Sequence, residues 1–169
     1  PFTSLLLLNN NEAFDMDIFS YFDEENRDIE KKLADVTENY KTYTTEQVFD
    51  KVKVVCDSIM AHLKKQENLL LANIDKTPQI EGLLIDCQKD RANIEEEIGQ
   101  LVMIHVNEPE YDDNLAKLLK AIEQHIAFCR GFYAKLKETV APAQLEKVNE
   151  QLTQLVLHSA DYNTLQTSG

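Results

Sequence analysis

Glycine and proline are scarce in this chain, four of each in 169 residues. That scarcity excludes an architecture of many short strands joined by tight turns, and it suits long helices with few connections. Cysteine is scarcer still. Cys56, Cys87 and Cys129 are odd in number and widely spaced, which argues against a disulfide framework and fits a reducing, cytoplasmic setting. Positive charge is thin: 17 Lys and Arg stand against 30 Asp and Glu, a formal net charge of −13. The basic residues are scattered, so a nucleic-acid backbone or an anionic membrane would repel the chain, and neither is an expected partner. Long apolar runs are missing too. The run from Leu5 to Leu8 is too short to cross a bilayer. With no charged segment before it and no cleavage-like end after it, it reads as part of an N-terminal arm over residues 1–12.

What is present is helical periodicity. Apolar residues make up 43% of the chain, enough for one domain with a proper core. Ile18, Phe19, Phe22, Ile29, Leu33 and Val36 recur at helical spacing and predict a first helix from about Ala13 to Glu38. Thr44 with Gln47 forms a capping box that opens a second helix, carrying Val48 through Ile74 and ending near Asn73. Thr77-Pro78 opens a third, because Thr caps and Pro at the first helical position gives up an amide with no partner. After a polar loop over residues 107–114, Leu115 to Leu136 form a fourth. Ala141-Pro142 breaks the chain before a short fifth helix to about Leu157, and residues 159–169 read as a flexible tail. The expected fold is all-α: an antiparallel four-helix up-and-down bundle over residues 13–158, closed by a short C-terminal helix.

The chain also repeats itself. Asp28-Ile29-Glu30 matches Asn93-Ile94-Glu95 at an offset of 65, and Ala61-His62-Leu63 matches Gln124-His125-Ile126 at an offset of 63. Two helical hairpins related by a pseudo-two-fold axis would bring His62 and His125 together from opposite halves.

This pattern resembles the hemerythrin-like, or HHE cation-binding, family over roughly Asp15 to Leu155. That family has two helical hairpins whose second and fourth helices carry a His followed by acidic residues four or five positions on. Here those places read His62 with Gln66 and Glu67, and His125 with Cys129 and Arg130. The resemblance implies a di-iron site of about five imidazoles and two bridging carboxylates held by rigid helices. Carried over residue by residue, the helix-one histidine falls at Asn26, the helix-three histidines at Cys87 and Arg91, and the helix-four carboxylate at Arg130. Two histidines of five do not make such a site, and Arg91 and Arg130 bring positive charge where a metal needs negative ligands.

The expectation is therefore a degenerate, metal-free bundle with a structural, interaction or regulatory role. Asn26, His62, Gln66, Glu67, Cys87, Arg91, His125 and Arg130 are its candidate core polar network, with no cofactor, no catalytic residue, and an unidentified protein partner or self-association. Two alternatives remain open. An iron- or zinc-binding module would use His62 and His125, with Cys87 or Glu67 beside them. A sensor of anionic small ligands would use Arg91 and Arg130 in the vacated cavity. Cys129, one turn after His125, reads as a buried structural thiol, and the runs Asp23-Glu24-Glu25 and Glu95-Glu96-Glu97 read as solvated faces.

Overall fold

Five α-helices account for most of the described residues, and no strand occurs among them. The computed structural model describes residues 16–167, so the expected N-terminal arm lies outside the described residues. The helices are α1 (Ile18–Asn39), α2 (Thr45–Lys65), α3 (Pro78–Val102), α4 (Tyr111–Thr139) and α5 (Pro142–Thr167). No described helix is long and apolar enough to cross a membrane.

Capping chemistry sets most of the boundaries. The Thr44 hydroxyl accepts from Gln47 N–H, and the Gln47 side chain accepts from Thr44 N–H, completing the reciprocal box at the start of α2. Thr77 caps α3 ahead of Pro78. Three boundaries differ from the sequence expectation. First, α1 begins at Ile18 rather than Ala13, because Asp17 is extended and its carboxylate accepts from Ser20 N–H. Second, α4 begins at Tyr111, inside the expected loop; Tyr111 is buried in the core, and the Asn114 side chain bonds back to the Glu110 carbonyl. Third, α5 runs on to Thr167 instead of ending near Leu157, so its last turns fall where a flexible tail was expected; no Gly or Pro interrupts that stretch.

Helix two also changes its winding. After Lys65 the backbone opens into a π turn over Gln66–Leu70 and then tightens to a 3₁₀ turn over Leu71–Asn73. A π turn inserts one extra residue per turn, so every residue after it moves to a new face of the helix. Leu70 and Ile74 are thereby buried.

Apolar side chains segregate into two clusters. One contains Ile29, Leu33 and Val36 of α1, Val48 to Leu63 of α2, Ile94 and Leu101 of α3, and Tyr111 to Ile126 of α4. The other contains Ile18, Phe19 and Phe22, then Leu70 and Ile74, Ile80 and Cys87, Cys129 to Val140, and Val148 and Leu152 of α5. The chain passes alternately between them: α1 and α3 run from the second cluster to the first, and α2 and α4 run back. Between the clusters, each of these four helices contributes a polar residue to one cross-sectional layer.

Candidate functional site

The layer is built around two imidazoles. His62 of α2 and His125 of α4 are both almost fully buried, and their Nε2 atoms lie 3.2 Å apart. The ring centroids are 5.4 Å apart with perpendicular planes. That gap exceeds the nitrogen separation by about one ring diameter, so the two Nε2 atoms face each other nearly head-on, as a hydrogen bond requires. On the outer side, His62 Nδ1 lies 3.1 Å from Glu25 Oε1, and His125 Nδ1 lies 2.5 Å from Asp90 Oδ2. A four-membered relay, Glu25–His62–His125–Asp90, thus crosses the core through one residue from each of α1, α2, α4 and α3.

Each end of the relay has its own support. Glu25 also accepts from Lys65 Nζ at 2.7 Å, and Lys65 donates to the Tyr21 hydroxyl at 3.0 Å. The Phe22 ring meets His62 edge-on at 5.4 Å. Near His125, Cys129 Sγ lies 3.3 Å from Nε2. The Gln66 amide, one helical turn after His62 and on the same face, donates to the Tyr133 hydroxyl at 2.8 Å and toward Cys129 Sγ at 3.7 Å.

Burial and hydrogen bonding set the charges. Burial pushes His62 below the ordinary imidazole value, and the facing His125 adds to this against the upward pull of Glu25. Burial works against the charged form of His125 too, but its bonds to Asp90 and Cys129 outweigh that and lift it to about 9. Glu25 would rise on burial, yet its bonds from His62 and Lys65 hold it below the usual glutamate value. Burial pushes the Cys87 thiol up to about 12, so it is neither a nucleophile nor a ready thiolate ligand.

The expected network residues separate into two groups. His62, Gln66, His125 and Cys87 are buried in or beside the layer. Asn26 is buried as well, but its amide nitrogen has no partner among the described residues. Glu67, Arg91 and Arg130 are not part of the core. Arg91 is partly exposed and pairs with Glu67 and Glu95 at the surface, and Arg130 is exposed. The two arginines are long enough to reach solvent from α3 and α4, which spares them the desolvation a buried guanidinium would suffer.

Two relay members were missed by the sequence reading. Glu25 belongs to a run taken for a solvated face; Asp23 in that run does pair with Arg27 at the surface, but Glu25 turns inward. Asp90 is not among the residues of the expected network. The signal was available: the offset of 65 that pairs Ile29 with Ile94 also pairs Glu25 with Asp90. The relay therefore obeys the internal repeat at all four positions.

The residues present do not fit the di-iron centre that the resemblance implies. Only two imidazoles reach the layer where about five are required, and the two carboxylates there, Glu25 and Asp90, bond the outer Nδ1 atoms instead of turning between the rings. Among the described residues no group of three or more His, Cys, Asp or Glu is arranged to hold a metal ion. Comparison with family models, with curated proteins and with solved structures finds no match.

Proposed function

We propose that this chain is a metal-free antiparallel four-helix bundle with a fifth helix, hemerythrin-like in design, acting as a structural or interaction protein rather than as an enzyme or oxygen carrier. The alternation of α1 to α4 between two apolar clusters and the paired offsets of 63 and 65 support the two-hairpin arrangement. The observation that carries the reading is the head-on contact of His62 and His125. It commits the inner nitrogens to each other and the outer ones to Glu25 and Asp90, so the groups that would bind a metal or move a substrate proton hold the helices together instead. A sensor of anionic ligands has less support, because Arg91 is already satisfied by two glutamates and Arg130 points outward. A cleft of about 280 Å³ does lie between α1 and α2, lined by Lys32, Asp35, Asp50, Lys51 and Val54 among others. It sits roughly two turns along the helices from the histidine layer.

Elemental analysis tests this reading directly. Protein purified without chelator or a nickel column is expected to carry background metal, and so is the His62→Ala/His125→Ala variant. Iron or zinc near one equivalent, lost in the double variant, would overturn the proposal and establish a metal-binding module.

A further inference from the structure

The relay has a fixed requirement for protons. Glu25 is ionised and also holds Lys65, so His62 must present Nδ1–H to it. His125 must likewise present Nδ1–H to the Asp90 carboxylate. If both rings were neutral, each Nε2 would then carry only a lone pair, and two lone pairs would face each other at 3.2 Å. One additional proton between them turns that repulsion into an N–H···N hydrogen bond. The pair then holds three ring protons and one positive charge. With Lys65 it balances the two carboxylates, leaving the layer neutral.

We infer that the His62–His125 pair is a single-proton lock, in which one proton shared between the facing Nε2 atoms joins α2 to α4, and either its removal or the arrival of a second loosens the layer between the two cores. The inference rests on the metal-free reading above. The charged and titratable groups around the pair favour this state from every side. From α1, Glu25 takes the outer proton of His62. From α2, Lys65 offsets Glu25. From α3, Asp90 takes the outer proton of His125, while Arg91 is turned away to Glu67 and Glu95, and the nearby Cys87 thiol stays neutral. From α4, Cys129 shares the inner edge of His125, and burial holds the Tyr133 phenol neutral. A second proton would place two imidazolium rings head-on inside the core.

The two rings therefore titrate as one site with two separated steps. His125 keeps its proton to about pH 9, well above an unfolded histidine near 6.5, so its contribution to stability is complete below 6.5 and is lost as pH rises through 9. His62 resists protonation, so its contribution is present above 6.5 and is lost as pH falls toward its depressed value. Stability should peak near 6.5 and fall on both sides.

The test combines ring-nitrogen NMR of the full chain with chemical unfolding from pH 5 to 9. At pH 7.5 the expected spectrum shows one imidazolium for the pair and three ring N–H groups. The folding equilibrium constant should drop by about tenfold per pH unit between 6.5 and 9, the slope of one proton. Asp90→Asn should flatten this alkaline limb while leaving the acid limb. Because that variant could fail to fold, the wild-type spectrum is decisive by itself. Two neutral rings at pH 7.5, or two that titrate independently near 6.5 in a metal-free sample, would overturn the lock and leave the metal-free reading standing. A metal equivalent in the same sample would overturn both.

Discussion

At the scale of single residues, Asn26 and Glu25 show opposite outcomes for polar groups on the same turn of α1. Glu25 is partly buried and fully engaged, by His62 and Lys65. Asn26 is more deeply buried, yet its amide nitrogen makes no hydrogen bond among the described residues. A buried donor without a partner loses its bonds to water and gains nothing in return, at a cost of about 1–3 kcal/mol. Asn26→Leu, which keeps the branching and removes the donor, should therefore stabilise the fold by about 1–2 kcal/mol. Urea unfolding would read this as a higher midpoint with an unchanged slope; a lower midpoint would mean that the amide has a partner. The same pair shows what the sequence could and could not reveal. The carry-over from the family resemblance pointed to Asn26, one position past the residue that reaches the histidine. Periodicity locates a helix face to within about one residue, whereas contact with a ring nitrogen depends on a few tenths of an ångström. His62 and His125 were legible because the repeat pairs them. Glu25 was hidden among neighbouring acidic residues that point elsewhere, and Asp90 between Lys89 and Arg91, where a carboxylate reads as one half of a surface ion pair.

At the scale of elements, the apolar stripes announced four of the five helices, and the Thr44 and Thr77 caps placed two of their starts. The length of α5 was harder to read, since the stripe Leu145, Val148, Leu152 and Val156 ends there and the residues after it carry no comparable apolar spacing. Its role is clearer in three dimensions. Asn149 Oδ1 accepts from Ile18 N–H at 2.9 Å, and Thr153 Oγ1 accepts from Met16 N–H at 3.1 Å. The fifth helix thus supplies acceptors for amides at the start of α1 that the helix itself cannot satisfy, while Val148 and Leu152 pack into the second cluster. Removing the Asn149 acceptor should behave as loss of a helix cap, destabilising by about 1 kcal/mol. Asn149→Ala is expected to lower the thermal midpoint and to speed amide exchange at Ile18 and its neighbours. Unchanged exchange there would show that α5 does not cap α1. The π turn in α2 had no sequence signature at all. Its effect is to turn Leu70 and Ile74 into the second cluster, while Gln66, one turn after His62, reaches Tyr133 and Cys129 beside His125.

At the scale of the whole molecule, the polar layer divides what could have been one continuous apolar core. Such a division is costly, because every buried ion or dipole must recover by pairing what it lost in leaving water, and well-packed apolar replacements are often as stable or more so. What the layer adds is specificity. Leu, Ile and Val stripes tolerate a slip of one helix along another, but a relay through four helices closes at one register alone. A double-mutant cycle separates these contributions. His125→Leu alone leaves Asp90 without its donor and His62 facing a side chain that cannot share a proton, so it should cost about 3–5 kcal/mol. His62→Leu alone should cost a similar amount. Together the two changes remove both halves of the contact, and Glu25 and Asp90, at 17% and 12% side-chain exposure, can turn to solvent. The double variant should then be more stable than the sum of the single losses implies, with a coupling of about 1–3 kcal/mol. Its helicity should survive while its amide spectrum broadens, because stability without a closed relay no longer selects one packing. Strict additivity in this cycle, with sharp spectra in the double variant, would mean that the histidines sit in the core as two separate residues and that the register of the helices is set elsewhere.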